Sequence, residues 1–389
     1  MNTFEFVDQQ LKEAEDKNQL RFLRSRSSFE NEKYGHVTID GKELLLFAGN
    51  DYLGLSQHPQ VIQAAKDCLD EYGLGSGASQ LVSGHTEEHA ALEERLIQFM
   101  EKEACLLFPS GYQANMSVVS SLVEKDDIVI MDKLNHASLI DGCRLSGAEF
   151  RVFPHKNYER LEELLKSNTE KRRKLIVSDT VFSMDGDLAD LETLIRLKEK
   201  YNAILLVDEA HAVGVFGLKG NGLAHEKNCS DKIDVITGTL SKSVGTQGGF
   251  VVASKKFIDS LINFARPFIF STGLPPHICR ASRVALDLIE NEKSLRQKLL
   301  WNVFTLRDEM VRDLKFELAP TESPILPIMI GDSQEAVDFS SRLYEQGIYV
   351  PAIRPPAVPP GKARLRLTLS AAHCEQDIEQ LLLALQKAK

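Results

Sequence analysis

The sequence predicts an α/β fold: a large domain built on a mostly parallel sheet, followed by a smaller α+β domain. Three observations predict it. Short apolar runs alternate with helix-period stretches between about residues 87 and 253. Several of those runs are apolar throughout, which suits strands buried on both faces. Beyond Pro275-Pro276 the alternation gives way to long helical stretches. A chain of 389 residues also exceeds what one small core accommodates, so two domains are expected.

In chain order, residues 4–25 carry an amphipathic helical period through Phe4, Val7 and Leu11. A short strand is predicted over 44–48 (LLLFA), a turn over 50–54, and a helix over 59–71 that opens with Pro59. Strands are expected at 104–108, 127–131, 149–153, 174–178, 203–207, 233–237 and 249–253. Helical periodicity fills 87–101, 157–168 and 188–201. After the prolines, helices at 278–292 and 295–314 lead to strands near 326–330, 348–350 and 364–369, with helices at 334–346 and 375–388. The expected organisation is an N-terminal segment, 1–45, packing with the small domain, a large domain over 46–280, and a small C-terminal domain over 281–389.

Charge and composition exclude several classes. A formal net charge of −10 opposes binding to a phosphate backbone, and no nucleic-acid partner is expected. The basic run Lys171 to Lys174 is short and reads as a solvated face. Six scattered cysteines offer no CxxC pair, so neither a zinc site nor a disulfide framework is expected, and no metal. The N-terminus lacks a basic start and an apolar core, and no apolar run approaches ~18 residues. The expectation is a cytoplasmic protein with no membrane contact.

Two acidic and basic positions carry the chemistry. Asp208 follows the apolar run AILLV, and Lys242 follows a second strand about thirty residues later. Groups at the carboxyl ends of strands face the usual active-site edge of an open α/β sheet. Taken singly, Asp208 also reads as a helix N-cap and Lys242 as a surface lysine. Taken together, they suit pyridoxal phosphate, which needs a lysine for a Schiff base and a carboxylate against its ring nitrogen. Ser110-Gly111-Tyr112 lies between a strand and a helix start, an arrangement that offers free N–H groups and a helix dipole to a phosphate, or forms an ordinary turn. His136 in LNHAS is a further candidate, although an isolated histidine is more often structural. The glycines of 73–77 (GLGSG) follow a helix, not a strand, so they do not make a dinucleotide loop.

The stretches NDYLGL (50–55), GSGASQLVSG (75–84), LNHASLIDG (134–142), VFSMDGD (181–187), VDEAHAVGVFG (207–217), GTLSKSVG (238–245) and AIRPPAVPPGKARLRLTLSAAH (352–373) resemble the α-oxoamine synthases over nearly the whole chain. These are fold-type-I pyridoxal-phosphate enzymes that join an amino acid to an acyl thioester with loss of carbon dioxide. The resemblance implies a pyridoxal-phosphate transferase domain with a seven-stranded, mostly parallel sheet and a site at a homodimer interface. It implies that Lys242 forms the Schiff base and moves the α-proton. Asp208 would pair with the ring nitrogen, His211 with the ring hydroxyl oxygen beside Ser183, and His136 would stack on the ring. Gly111, Tyr112 and Thr239 would bind the phosphate, with Ser271 and Thr272 reaching it from the other subunit. Arg366 would hold the amino-acid carboxylate, and Arg21 would stand at the acyl-donor entrance.

Within the family, residues 352–373 resemble the branch that condenses L-alanine with a pimeloyl thioester carried by coenzyme A or an acyl-carrier protein. Glycine with acetyl-coenzyme A is the alternative substrate pair. A catalytically silent partner subunit is the remote alternative, opposed by the presence of Lys242, Asp208 and His211. One position departs from the branch: Ala357 stands where threonine is usual, beside the acyl donor.

Overall fold

The computed structural model describes residues 3–28, 34–318 and 321–389. The chain divides into two compact units, one of residues 50–183 and 187–298, the other of residues 1–49, 184–186 and 299–389.

The smaller unit begins with α1 (Glu5–Asp16), β1 (His36–Ile39) and β2 (Lys42–Leu46). The helix predicted over 4–25 is thus cut short. Asn18 adopts a left-handed backbone, and the Arg354 guanidinium binds the carbonyls of Asn18 and Leu20, which holds the chain beyond α1 out of a helix. The strand expected near 44–48 has a partner that the sequence reading missed. Asp40 and Gly41, both at positive φ, close a tight hairpin between β1 and β2, the turn that Asp-Gly favours.

The larger unit follows. It starts with α2 (Pro59–Tyr72), α3 (Glu87–Met100), β3 (Ala104–Phe108), α4 (Gly111–Leu122), β4 (Ile128–Asp132), α5 (Ala137–Ser146) and β5 (Glu149–Phe153). It continues through α6 (Tyr158–Lys166), β6 (Lys174–Asp179), α7 (Leu191–Tyr201), β7 (Ile204–Asp208), α8 (Leu223–Glu226) and β8 (Val235–Thr239). It ends with β9 (Gly249–Ala253), α9 (Lys255–Phe264), α10 (Arg266–Ile269) and α11 (Pro276–Asn291), after which α12 (Lys293–Arg312) begins.

Its sheet has seven strands in the order β3-β9-β8-β7-β6-β4-β5. Every neighbouring pair is parallel except the two that involve β9. The exception follows from chain length. Only residues 240–248 join β8 to β9, too few for the helical crossover that parallel neighbours require, so the chain turns back. The central strands are buried on both faces, and Leu106, Val129, Met131, Val177, Leu206 and Val251 lie in one apolar cluster with Val118 and Val119 of α4. The strand expected at 233–237 starts two residues later, because Ser230 and Ile233 give their carbonyls to Lys102 and Asp234 takes the Leu205 amide. That shift puts Thr239 at the strand's end.

The C-terminal part of the smaller unit contains β10 (Ile325–Gly331), α13 (Ser333–Glu345), β11 (Ile348–Tyr349), β12 (Ala352–Ile353), β13 (Ala363–Thr368) and α14 (Glu375–Ala388). β11 joins β2 in parallel, and β13 lies between β10 and β12. The division between the units falls at Lys298 and Leu299 and not near residue 280, because α11 packs on α2 and α3 of the larger unit. Among the described residues no helix is long and apolar enough to cross a membrane.

Candidate active site

β3, β4, β6, β7 and β8 all end on one edge of the large sheet, and β9 begins there. A cavity of about 220 Å³ opens at that edge. Gly111, Tyr112, His136, Asp208, His211, Thr239 and Lys242, all expected from the sequence, line it together with Ser110, Asn115, Asp179, Ala210 and Ser241.

One end is the first turn of α4. Ser110 caps it, its hydroxyl accepting the Gln113 N–H at 3.2 Å. The amides of Gly111 and Tyr112 precede the first in-helix acceptor, so they are available to an anion. Two glycines keep this end narrow. A Cβ on Gly249 would stand 2.5 Å from the Gly111 nitrogen, and one on Gly111 would press on Thr239 at 3.3 Å. The Thr239 hydroxyl donates to the Gly248 carbonyl at 2.8 Å and lies 2.7 Å from the Ser241 hydroxyl. The Tyr112 phenol binds Asp141, which leaves its ring edge-on to His136 with centroids 6.2 Å apart.

The other end is acidic. Asp208 is the last residue of β7 and is buried; one carboxylate oxygen accepts the Ala210 N–H at 2.8 Å and the other the Asn115 amide at 2.6 Å. Asp179, its register partner on β6, is buried beside it. Burial and the charge of Asp208 push the Asp179 carboxyl well above the usual range. Asp179 still accepts the His136 backbone N–H at 2.9 Å.

His136 caps α5, and its Nδ1 accepts the Ser138 N–H at 3.3 Å and faces the Ser138 hydroxyl at 2.8 Å. Burial holds its pKa below the ordinary value, against the pull of Asp208. A neutral ring whose Nδ1 is an acceptor carries its proton on Nε2. The Asn115 amide reaches both Ser138, at 2.9 Å, and Asp208, so one chain of bonds links His136 to the Asp208 carboxylate. His211 is placed by Tyr52, whose buried hydroxyl lies 2.7 Å from its Nδ1. Lys242 is half-buried in the turn after β8, closed by the Gly245 N–H on the Lys242 carbonyl at 2.9 Å.

Glu209 follows Asp208 but serves another purpose. It is fully buried, accepts the amides of Leu223 and Ala224 and the Thr180 hydroxyl, and is pushed up to about 7 by burial. It therefore ties the loop after β7 to α8.

Other expected residues lie outside the cavity lining. Ser183 is half-buried in the loop after β6. Ser271 accepts the Gln113 side-chain amide at 3.0 Å, and Thr272 bridges to Ser79 within the same chain. Arg21, Ala357 and Arg366 belong to the smaller unit. There Arg21 donates to the Pro355 carbonyl at 3.2 Å, Ala357 is exposed, and Arg366 is buried on β13 opposite Pro327. The sequence reading missed Asn115, Ser138, Asp179 and Tyr52. Asn115 was visible as the polar residue four places after Gly111 in an apolar helix, and Asp179 as an acid ending an apolar strand.

Comparison with known proteins shows the family of the chain. Residues 42–385 match the family described as aminotransferase class I and II. An 8-amino-7-oxononanoate synthase from Geobacter sulfurreducens is 44% identical over 380 residues, 97% of this chain and 96% of that protein. Serine palmitoyltransferase from S. paucimobilis with bound PLP–myriocin superposes with a TM-score of 0.92 at 31% identity, covering 99% of this chain and 97% of its own. The 8-amino-7-oxononanoate synthase of Francisella tularensis gives a TM-score of 0.77 at 30% identity, over 88% and 97% of the two chains. On this similarity, which spans both units, the chain belongs to the aminotransferase class I and II family.

Proposed function

We propose that this protein is a pyridoxal-phosphate-dependent acyltransferase of biotin biosynthesis that condenses L-alanine with a pimeloyl thioester, releasing carbon dioxide and the free thiol of the acyl carrier and forming 8-amino-7-oxononanoate. The observation that carries the reading is the pairing of Lys242 and Asp208 in one cavity whose other end is a glycine-flanked helix N-terminus.

The donor set fits the cofactor. The amides of Gly111 and Tyr112, with Thr239, suit its phosphate; the Asp208 carboxylate suits a protonated ring nitrogen; His211 suits the ring hydroxyl; Lys242 suits the aldehyde. Bound there, pyridoxal phosphate supplies an electron-accepting ring for the charge left at the amino-acid α-carbon. The chain's own groups do the rest. Asp208, held by Asn115 and Ala210, supplies the negative charge at the ring nitrogen. His136, neutral, would lie against the cofactor ring and would offer Nε2–H to the substrate. Lys242 Nζ takes the α-proton and returns one after carbon dioxide leaves, a role suited to an amine that changes pKa readily when desolvated. The Arg366 fork holds the alanine carboxylate, and Arg21 receives the acyl donor. Ser271 and Thr272 act on the phosphate of a partner's site in a homodimer.

The test is a substrate matrix: alanine or glycine against pimeloyl or acetyl thioesters, carried by coenzyme A or by a carrier protein, with products weighed by mass spectrometry. The expected product is 8-amino-7-oxononanoate from alanine and the pimeloyl donor. Turnover only with glycine and acetyl-coenzyme A would overturn the substrate assignment and leave the cofactor chemistry intact.

A further inference from the structure

His155 lies between β5 and α6, outside the cavity lining, and holds two loops at once. Its Nδ1 faces the Asp132 carboxylate at 3.0 Å, and its Nε2 faces the Asp187 carboxylate at 3.0 Å. A neutral imidazole has only one N–H, whereas both nitrogens here meet acceptors. The geometry therefore calls for the imidazolium, with one charge-assisted bond to each acid.

Each acid anchors a loop that carries an expected site residue. Asp132 ends β4, and the same carboxylate accepts the amides of Leu134 at 2.8 Å and Lys156 at 2.9 Å, while its carbonyl accepts the Asn135 N–H. Those bonds shape the turn that delivers His136. Asn135 extends the brace: its side chain donates to the Val177 carbonyl and accepts the Asp179 N–H. On the other side, the Phe182 N–H donates to the Asp187 carbonyl at 3.0 Å, closing the loop that contains Ser183. His155 touches both ends of that loop, Asp187 through Nε2 and Phe182 edge-on with ring centroids 4.4 Å apart.

We propose that His155, as an imidazolium, is a positioning residue that clamps the His136 turn (132–136) to the Ser183 loop (182–187) and thereby sets the affinity for pyridoxal phosphate. This rests on the cofactor reading given above. Burial by itself would lower the His155 pKa, but Asp132 and Asp187 outweigh it and raise it to about 9. Against burial, His155 and Lys156 together lower the Asp187 carboxyl below its ordinary value. Further titratable groups near the clamp are Lys156, 3.0 Å from Asp187, Tyr158, which accepts the Asp190 amide and is pushed up to about 12, Asp190 itself, and Asp179, which feels the charge of Asp132. The sign follows. A histidine raised in the folded state contributes fully below its unfolded value of about 6.5, and the contribution disappears as pH rises through about 9.

The experiment compares wild type with His155→Gln and Asp187→Asn. At pH 7.5, His155→Gln is expected to raise the Kd for pyridoxal phosphate about tenfold, the effect of losing a bond to a charged group. The wild-type Kd should climb between pH 8 and 10, and that climb should be shallower in His155→Gln. Amide hydrogen exchange should quicken in 132–136 and 182–187 and nowhere else. Asp187→Asn leaves the bond to Asp132 in place, so exchange should quicken in 182–187 alone, with a smaller rise in Kd; this variant decides the matter if His155→Gln does not fold. Equal Kd values and equal exchange in wild type and His155→Gln would overturn the clamp, as would identical pH profiles. If wild type binds no pyridoxal phosphate, the cofactor reading fails instead, and the exchange of the two loops still decides whether His155 clamps them.

Discussion

In the cavity at the ends of β6, β7 and β8, the side chains of Asn115, Ser138, Asp179 and Asp208 are buried and form a bonded network that reaches the exposed His136. Asp208 meets Asn115, Asn115 meets Ser138, Ser138 meets His136, and Asp179 holds the His136 backbone. In the segment from Ala352 to Pro360, Pro356, Ala357, Pro359 and Pro360 are exposed, and the arginines there bind backbone carbonyls: Arg21 that of Pro355, Arg354 those of Asn18 and Leu20. The difference matters because a buried network has no water to replace a lost partner, whereas an exposed segment does. Substitutions in the cavity should therefore act steeply, and substitutions in the exposed segment should act in small steps.

Lys242→Ala is expected to have the largest effect. Loss of the proton transfer alone costs about 10²–10⁴-fold, and loss of the covalent attachment adds to it. Product formed at more than trace rate, measured by mass spectrometry with saturating pyridoxal phosphate, would show that another group serves as base. Asp208→Asn comes next. The amide keeps the shape but removes the charge against the ring nitrogen, so turnover should drop about ten- to a hundredfold while the cofactor still binds. A turnover number close to wild type would remove Asp208 from its assigned role.

Gly249→Ala tests the narrow end without removing any polar group. The added methyl would meet the Gly111 nitrogen at 2.5 Å, so β9 or α4 must shift. Overpacking of this kind costs about 1–3 kcal/mol, and the shift falls on the amides assigned to the phosphate. The expected result, read by fluorescence titration, is weaker binding of pyridoxal phosphate by about tenfold with substrate preference unchanged. An unaltered cofactor affinity would mean that the phosphate does not sit at this turn.

The two regions also differed in how far the sequence revealed them. The seven strands were legible because buried strands write continuous apolar runs, and Lys242 and Asp208 were legible because they stand at the ends of two of those runs. The bonds inside the cavity were not. Asn115 and Asp208 are far apart in the chain, and only the pairing of β6 with β7 puts Asp179 beside Asp208. His155 was passed over for the same reason, since its partners lie 23 and 32 positions away. The overlong helix predicted at the N-terminus had another cause. Its stop signal, Asn18, went unread: it takes the left-handed C′ position, with its own N–H on the Glu15 carbonyl and that of Gln19 on the Ala14 carbonyl, and Arg354 adds a tertiary contact that holds the residues beyond. The hairpin at Asp40-Gly41 was written in the sequence and went unread. Arg21, Ala357 and Arg366 came from the family resemblance; no periodicity or spacing singles them out.

Ala357→Thr should give the smallest effect. The Ala357 N–H donates to the Arg354 carbonyl at 3.1 Å, closing a turn, and the residue is exposed. A threonine side chain therefore enters solvent and meets no packed core, so the fold should tolerate it. If the acyl donor covers this position, the new hydroxyl gains one neutral hydrogen bond, worth about 0.5–1.5 kcal/mol net, or two- to tenfold in binding. Water already bonded to the donor in the alanine form would shrink that gain further. The bond forms away from the reacting carbon and is equally strong in ground and transition states, so it should lower the KM for the pimeloyl donor and leave kcat within about twofold. The KM for alanine should not move, because its carboxylate is assigned to Arg366. Steady-state kinetics with both substrates varied distinguishes these outcomes. A preference that moves from pimeloyl to another acyl chain would mean that Ala357 marks a different donor, and that the exposed segment selects the substrate instead of only adjusting its affinity.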